Sequence, residues 1–478
     1  MCPFHRLALA VGLGAPAAAT QSVTVERFAT NPLLSVANVD RVTAQNLDRP
    51  GGDPAFVSFA GPSVVRVPDW VDEPLGRYYM YFAHHKGAHV RLAFANDLRG
   101  PWTVHAPGRG VLRLDDLGDV AQDHVASPDV HVDHARERFV MYVHAPLAGV
   151  RFEHRTFVTT SADGRGFELA SDEPLGPAYF RAFHWRGHVI TPSRLGPFLR
   201  SKDGFTNFET GPNLFDQRTR HYACVPWNDR LYVFYSRRND NPERIRLRTI
   251  ELADPARPGV GRDWSGWALS PPVDVLFPTE SYESEPTPRA LDPAVFLDDD
   301  GEAYLFYSGG HEQTICGARL VVDDWATLGV RNLRCASGAR IGLAATPLRV
   351  GAEPWLGSDG TARTVPASVA GALLLQTAPG DVRSAEDARG FLRFEVSRPA
   401  TVVLAHDTAM SRAPEWLDGW TDSGETLIVD DPRGPIRPPR HLQVWTRDVP
   451  AGAVSLGGNL PRDEPFGADR VMYVVAVR

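Results

Sequence analysis

The sequence predicts an all-β protein in which a five-bladed β-propeller is followed by a C-terminal β-sandwich. One observation is a phrase that occurs five times between about residues 55 and 325: a polar start, a short alternating strand, a polar turn and an aromatic or β-branched strand. Repeats of roughly 40–60 residues built only of strands are typical of four-stranded propeller blades. The other observation is that short alternating strands continue after residue 350 without this phrase, which favours a separate sandwich.

The second copy of the phrase displays the pattern most clearly. Residues 127–132 (SPDVHV) begin one strand, residues 133–137 are a polar turn, and residues 139–144 (FVMYVH) form the next strand. In an antiparallel hairpin the start of the first strand lies beside the end of the second. We therefore expect Asp129 and His144 at the same rim, away from the turn. The other copies begin at residues 61, 179, 220 and 292.

The chain of 478 residues has room for two domains. We expect a signal peptide at 1–19, a lead-in segment at 20–54 that packs along the propeller, the propeller at 55–350 and the sandwich at 351–478. The signal consists of Arg6, an apolar run over 7–14 and a small-residue cleavage site at 17–19. The run is too short to span a membrane. These features predict a secreted or periplasmic monomer with no membrane partner.

Composition and cysteine usage narrow the function further. The net charge of -8 and the pI near 6.1 argue against a nucleic-acid partner, which normally requires a basic face. Cys2 belongs to the signal, Cys316 and Cys335 either pair in an oxidising compartment or remain free, and Cys224 is expected as a buried thiol. Since the sequence has no CxxC or histidine-rich metal spacing, we expect no metal and no cofactor; an ion such as calcium in the funnel has no motif to support it.

Titratable residues gather at one end of the predicted hairpins. Because every blade begins at the central funnel, the starts of first strands and the ends of second strands are expected to share one mouth. A long acidic loop at 271–290 adds carboxylates to that mouth. The candidate site residues are His85, His124, Asp129, His144, Tyr179, Arg181, Arg220, His221, Glu283, Glu285, Asp292, His311 and Glu312. The opposite hairpin ends carry turn residues such as 298–300, so one face is predicted to be functional.

The phrases at 78–82 (YYMYF), 91–95 (RLAFA), 100–102 (GPW) and 292–296 (DPAVF) resemble those of five-bladed propeller carbohydrate-active enzymes, the arabinanase/xylosidase-like glycoside hydrolases. The resemblance implies a first-blade Asp as base, a second-blade Asp that orients its partner, and a Glu from a later blade as acid. Asp129 matches the second-blade Asp, but the first-blade position is Gly61-Pro62-Ser63, without a carboxylate. The acid position offers Tyr179 and Arg181, so the implied trio is incomplete.

The C-terminal segments 414–417 (PEWL), 451–459 (AGAVSLGGN) and 472–475 (MYVV) resemble a β-sandwich module that is appended to secreted bacterial polysaccharide-degrading enzymes. This resemblance implies an accessory role beside a catalytic propeller.

Three functions remain open, all with a carbohydrate partner. Hydrolysis normally needs two carboxylates, for which Asp129 is the candidate base and Glu283, Glu285 or His311 the candidate acid. β-Elimination from a uronic acid needs a cation and a proton acceptor; the candidates are Arg181, Arg220, Tyr179, His85, His124 and His221. His144, Tyr179, Glu285, Asp292, His311 and Glu312 are expected to bind substrate. A glycan-binding propeller without catalysis is the third function. The predicted architecture favours hydrolysis, and the mixture of Arg and His favours an anionic sugar.

Overall fold

The structure is a computed structural model that describes residues 22–39 and 58–478, except for short gaps at 134–135, 186–187, 228–229, 255–256, 262, 299–301, 327, 340, 345–346, 357, 359, 389, 435 and 465–468. The predicted signal peptide and Cys2 lie outside the described residues. Five antiparallel sheets between residues 23 and 322 form the propeller, and two further sheets follow it. The predicted fold class is confirmed.

The first three blades each follow the chain from the axis outwards. Blade one contains β2 (Ala60–Arg66), β3 (Tyr78–Ala83), β4 (His89–Ala95), β5 (Thr103–His105) and β6 (Leu112–Arg113). Blade two contains β7 (Ala126–Asp133), β8 (Arg138–Pro146), β9 (His154–Ser161), β10 (Glu168–Leu169) and β11 (Gly176–Pro177). Blade three contains β12 (Phe183–Trp185), β13 (His188–Pro192), β14 (Pro197–Ser201) and β15 (Glu209–Asn213).

Blades four and five complete the ring. Blade four contains β16 (Thr219–Trp227), β17 (Arg230–Arg237), β18 (Ile245–Glu251) and β21 (Val273–Leu276), with a small hairpin of β19 (Ala253–Asp254) and β20 (Arg257–Gly261). Blade five contains β22 (Ala290–Leu297), β23 (Ala303–Gly309), β24 (Thr314–Val322) and the first strand of the chain, β1 (Val23–Arg27). The short helices are α1 (Ser281–Ser284) and the 3-10 turns Leu114–Val120, Trp264–Gly266, Asp323–Ala326, Pro379–Arg383 and Glu415–Leu417.

The aromatic second strands are buried on both faces because each blade packs between two others. All six residues of β3 are buried. Tyr79 stacks on Phe139 of blade two with ring centroids 6.4 Å apart, whereas Tyr78 meets Phe296 of blade five edge to face at 5.9 Å. Side chains of a strand alternate between faces. The near-continuous apolar character of these strands therefore follows from their position inside the ring.

The N-terminal segment closes the propeller. Residues 23–27, predicted only as part of a lead-in, form the outer strand of blade five, with Val25 paired to Leu320. The sequence signal was weak because this strand is short and only half-buried. Arg27 then binds Glu283 of α1: its Nε lies 2.7 Å from Oε1 and its Nη2 3.0 Å from Oε2. The closing strand is thereby tied to the acidic loop before blade five.

Two sheets that share one apolar core form the C-terminal part. The smaller sheet pairs β25 (Val330–Cys335), β29 (Leu392–Val396) and β33 (Gly452–Leu456). The larger sheet has the order β26 (Gly342–Leu343), β28 (Leu373–Gln376), β34 (Val474–Val477), β30 (Ala400–Asp407), β32 (Arg440–Val449), β31 (Thr421–Val429) and β27 (Ala362–Thr364). β25 and β26 lie within the range predicted for the propeller, yet they pair with C-terminal strands.

The three cysteines among the described residues are free rather than paired. Cys316 lies on β24 of the propeller with its Sγ 3.4 Å from the Thr314 hydroxyl, whereas Cys335 lies on β25 and contacts Ser337 and Asp381. The possible Cys316–Cys335 pairing is therefore not formed, because the two strands belong to different sheets. Cys224, on the inner strand of blade four, is also free but only half-buried. Within the described ranges, the helices are all too short or too polar to span a membrane.

Replacing Arg27 by alanine is expected to lower the free energy of unfolding by about 3–5 kcal/mol, because the fully buried Glu283 carboxylate loses its cation. Urea unfolding followed by circular dichroism measures this loss. Glu26→Ala is the matched control: Glu26 lies on the same strand, and its exposed pair with Arg319 should be worth only about 0–1 kcal/mol. Equal losses in the two variants would contradict the role of Glu283 as the anchor of closure.

Candidate active site

Each blade begins at the propeller axis with a distorted stretch of backbone. In blades one, two, four and five, the pairing between the first and second strands shifts register near the start of the first strand. The residues with positive φ at these starts are Gly61 (62°), Ser127 (52°), Tyr179 (70°, just before β12), His221 (51°) and Asp292 (52°). A bulge of this kind re-aims a side chain, and strained backbone is concentrated at functional sites.

The five residues with positive φ, which we call the axial ring, lie close to one another. Asp292 Oδ2 accepts a hydrogen bond from the Gly61 N–H at 3.2 Å, and Asp292 Oδ1 lies 3.1 Å from His221 Nε2. The rings of His221 and Tyr179 are 4.6 Å apart between centroids. A Cβ at Gly61 would lie 3.2 Å from the Ser127 Cα, which together with the positive φ favours glycine at this position.

The structure shows what surrounds Gly61, the position at the start of the first blade where a carboxylate was expected. The space that a side chain would enter there is bounded by Ser127 and by the Arg181 guanidinium, whose Nη2 lies 3.6 Å from the Cβ position. Arg181 is buried and donates through Nη1 to the carbonyl oxygens of Ser127 and Phe180. The only axial-ring carboxylate is therefore that of Asp292, in blade five.

Asp292 and Glu312 form an interacting pair of buried carboxyl groups. Burial raises the pKa of Asp292 to about 7, and the negative charge of Glu312 acts in the same direction. Burial also opposes ionisation of Glu312, but the hydrogen bond from His85, with Nδ1 3.2 Å from Oε2, and the charges of His85, Arg220 and His311 together lower the pKa of Glu312. Just below neutral pH the pair therefore contains a neutral acid and an ionised carboxylate, a combination that suits acid–base chemistry.

Near the axial ring lies a cavity of about 300 Å³, which we call the mouth pocket. It is lined by His85, Arg220, Arg238, Asn239, Glu243, Arg289, His311 and Glu312. Arg220 forms a two-point pair with Glu243, at 3.2 and 3.4 Å, and both side chains are largely buried. Burial disfavours the charge of Arg220, but Glu243, Asp292 and Glu312 raise its pKa, so it remains a cation. The Glu312 carboxylate pairs with His85, whose pKa it raises.

Asp129 and Arg181 line a different, larger cavity of about 1310 Å³, where residues of β25 also lie. Asp129 Oδ2 accepts from the Ala182 N–H at 2.7 Å and lies 2.9 Å from His131 Nε2. Burial opposes its ionisation, but His131 and Arg181 lower the pKa of Asp129. The carboxylate thus joins blades two and three, and it does not line the mouth pocket.

The other residues predicted as acids, Glu283, Glu285 and His311, lie in three different environments. Glu283 is fully buried and accepts hydrogen bonds from Arg27, from the Tyr307 hydroxyl and from the N–H groups of Thr279 and Glu280. This saturated carboxylate has no face open to a substrate. Glu285 is exposed just after α1. His311 lines the mouth pocket, where burial lowers its pKa.

His124 and His144 form a cluster with His154. The three rings have centroid separations of 5.3 to 5.8 Å. Burial lowers the pKa of His124 to about 4, although its Nδ1 lies 2.8 Å from the Asp123 carboxylate. Burial also lowers the pKa of His144 far below its ordinary value. Tyr179 links this cluster to the axial ring, since its ring lies 4.7 Å from that of His144.

Sequence reasoning missed Glu243, Arg289, His154, Arg238 and Asn239 as site residues. The polar stretch 239–244 (NDNPER), which contains Glu243, is typical of a turn with a local ion pair; in the structure Glu243 does form an ion pair, but its partner is Arg220 at the mouth pocket. Arg289 directly precedes β22, so the rule that strand starts share the mouth could have found it. His154 begins a third strand, which the hairpin phrase does not include.

Comparisons with known proteins found one relative by sequence and several similar solved structures. No family model matches the sequence. An uncharacterised protein, R118 of Acanthamoeba polyphaga mimivirus, is 28% identical over 341 residues, which cover 62% of this chain and 90% of that protein.

Three of the similar solved structures are glycosidases. A glycosyl hydrolase from Bacteroides ovatus has a TM-score of 0.44 at 14% identity, covering 62% of this chain and 92% of its own. A family 43 β-xylosidase/α-arabinofuranosidase from a compost metagenome, in complex with xylotriose, has a TM-score of 0.39 at 15% identity, covering 55% and 91%. An exo-β-1,3-galactanase from Phanerochaete chrysosporium, with β-1,3-galactotriose, has a TM-score of 0.40 at 10% identity, covering 96% and 99%.

Asp292→Asn is expected to remove part of the pH dependence of stability. The native pKa of Asp292, about 7, lies above its ordinary value, so its contribution to stability is lost as pH rises towards 7. Asparagine resembles the neutral acid and does not titrate. Urea unfolding at about pH 5 and about pH 8 should therefore give a smaller difference in the variant than in the wild type.

The exposed Asp172→Asn variant is the control for this measurement, and it should keep the wild-type difference. If Asp292→Asn also kept the full difference, Asp292 would not be the group that holds the proton.

Proposed function

We propose that this protein is a secreted or periplasmic, monomeric carbohydrate-active enzyme that hydrolyses glycosidic bonds in a glycan with anionic sugars. The observation that carries the proposal is the Asp292–Glu312 pair at the propeller axis. Burial and mutual repulsion keep one carboxyl group protonated to about pH 7 while the other ionises. Acid–base hydrolysis uses one neutral and one ionised carboxyl group on the two sides of the scissile bond.

The two carboxyl groups differ in their access to substrate. Glu312 lines the mouth pocket, whereas Asp292 is 1% exposed and lies in the axial ring. In the proposed mechanism Glu312 is the ionised member that faces the sugar and activates the attacking water, and the proton held by Asp292 keeps the pair at one negative charge. His85, hydrogen-bonded to Glu312, holds the carboxylate in position and offers a second proton at the pocket.

The cations of the mouth pocket support an anionic substrate. Arg220, Arg238 and Arg289 line it together with two histidines. A guanidinium presents a planar fork that can bind a sugar carboxylate through two parallel hydrogen bonds. The protein as a whole carries a net charge of -8, so this concentration of cations is local to the mouth.

The same lining favours β-elimination as a second candidate function. The pocket has three arginines and two histidines against two carboxylates, one of which, Glu243, is already paired with Arg220. A guanidinium would neutralise the uronate carboxylate, and a neutral imidazole or Tyr179 would remove the C5 proton. His311, whose pKa is lowered, is the imidazole best suited to accept that proton.

A digest of uronate-containing polysaccharides distinguishes the two reactions. We expect new reducing ends without the near-ultraviolet absorbance of an unsaturated uronate. Rising absorbance would replace hydrolysis by elimination. Glu312→Gln should lower kcat by about 10²–10⁴-fold, the range of general acid–base catalysis. The exposed Glu173→Gln is the control and should keep wild-type activity. Full activity in Glu312→Gln, or no cleavage of any substrate, would refute the proposed site.

The pH profile provides an independent check. Because the proton of Asp292 is lost as pH rises through about 7, kcat/KM of the wild type should fall on the alkaline side of that value. Initial rates at low substrate concentration measure this profile. A profile that stays level up to about pH 9 would contradict the use of this proton in the reaction.

A further inference from the structure

We propose that His124, His144 and His154 form a binding site for a divalent transition-metal ion, with Zn²⁺ as the expected ion. One ring nitrogen of each histidine can be chosen so that all three lie within 4.8 Å of one another. The three residues come from consecutive parts of blade two: His124 precedes β7, His144 lies near the end of β8, and His154 begins β9. The hairpin arrangement of the blade therefore assembles the cluster.

The strand register explains why the three side chains meet. His144 pairs with Ala126 of β7 on one side and with Thr156 of β9 on the other. His124 and His154 each lie two residues before one of these partners. Residues at diagonal positions two apart on neighbouring strands share a face and come within reach of one another. The cluster thus rests on strand pairing within one blade, which is a rigid support for a ligand set.

An unsatisfied nitrogen points to a ligand. His144 is 4% exposed, and its buried Nδ1 has no hydrogen-bond partner among the residues that the structure describes. An imidazole nitrogen in this condition has lost water without gaining a protein partner, which is costly. A bound metal ion would satisfy it.

The ring of His124 is hydrogen-bonded to a carboxylate, as the rings of metal-binding histidines usually are. Its Nδ1 lies 2.8 Å from the Asp123 carboxylate. A histidine that donates one N–H to a carboxylate presents the other nitrogen, as a lone pair, to the metal. Asp123 thereby fixes the orientation of the His124 ring and leaves its Nε2 for the ion.

The distances and the donor set fit zinc. Zn–N bonds of about 2.0–2.1 Å in tetrahedral geometry require nitrogen separations of about 3.3 Å. The observed upper limit of 4.8 Å leaves a closure of at most about 1.5 Å, which small rotations of the three imidazole rings can supply. Imidazole suits Zn²⁺, Cu²⁺ and Ni²⁺, whereas Ca²⁺ and Mg²⁺ prefer oxygen ligands. Three protein ligands leave the fourth position for a water molecule or a substrate oxygen.

This site is separate from the Asp292–Glu312 pair, and its existence does not depend on the proposed function. Tyr179 stands between the two, with ring contacts to His144 on one side and His221 on the other. In the proposed assignment His124 and His144 bind the ion and do not act as a proton acceptor or a direct sugar contact.

Metal binding by the whole chain, produced without a histidine tag, tests the proposal. After dialysis against a chelator, titration with ZnCl₂ followed by calorimetry and elemental analysis should give one bound ion per chain. His154→Gln should abolish this binding. Asp123→Asn, which keeps all three ligands, should weaken it by about 10–100-fold. His441→Gln removes an exposed histidine of the C-terminal sheets and should bind as the wild type does.

Thermal unfolding of the same proteins separates loss of the site from loss of the fold. Zn²⁺ should raise the Tm of the wild type and of His441→Gln, because an ion that binds only the native state stabilises it. The Tm of His154→Gln without metal should stay near that of the wild type, and added Zn²⁺ should leave it unchanged. The proposal fails if the wild type binds no ion, or if His154→Gln binds one as tightly as the wild type.

Discussion

The crowding of five innermost strands around one axis is the constraint on which the site depends. Where these strands begin there is no room for regular pairing, so the register shifts and single residues adopt positive φ. Gly61 meets this constraint by having no side chain, and its N–H binds Asp292. The same crowding buries Asp292 beside Glu312, and burial is the largest cause of its raised pKa. Backbone geometry and acid–base behaviour therefore share one origin.

Strand β1, which closes the propeller, supports the packing of blade five at the edge of the ring. β1 completes blade five, and its last residue, Arg27, neutralises Glu283 in the loop that leads to β22. Glu283 is thus a structural residue, whereas Glu312, which is also buried, lines the mouth pocket. The sequence predicts Glu283 as a candidate acid and Glu312 as a substrate-binding residue, and the structure places the two in completely different surroundings. That difference arises because Glu283 accepts hydrogen bonds on both oxygens, whereas Glu312 lines a cavity.

Much of the site could be predicted because the alternation of apolar and polar residues shows where each strand of a hairpin begins and ends. The rule that first-strand starts and second-strand ends share one rim placed His85, Arg220, His311 and Glu312 together, and all four line the mouth pocket. The rule does not say how far along the propeller axis each of these residues lies. Asp129, two residues after the bulge at Ser127, lies further along its strand and lines the other cavity. It also does not describe third strands, which is why His154 was missed.

The sequence by itself determined the all-β class, the five blades and the mouth where titratable groups gather, because alternation and turn chemistry are local properties. Only the tertiary structure decided which groups interact. The pairing of β1 with β24, of β25 with β29, and of Arg220 with Glu243 joins segments that no local pattern connects. The pKa of Asp292 and the meeting of three histidines also depend on burial and on strand register. Both are set by how the chain packs around the axis.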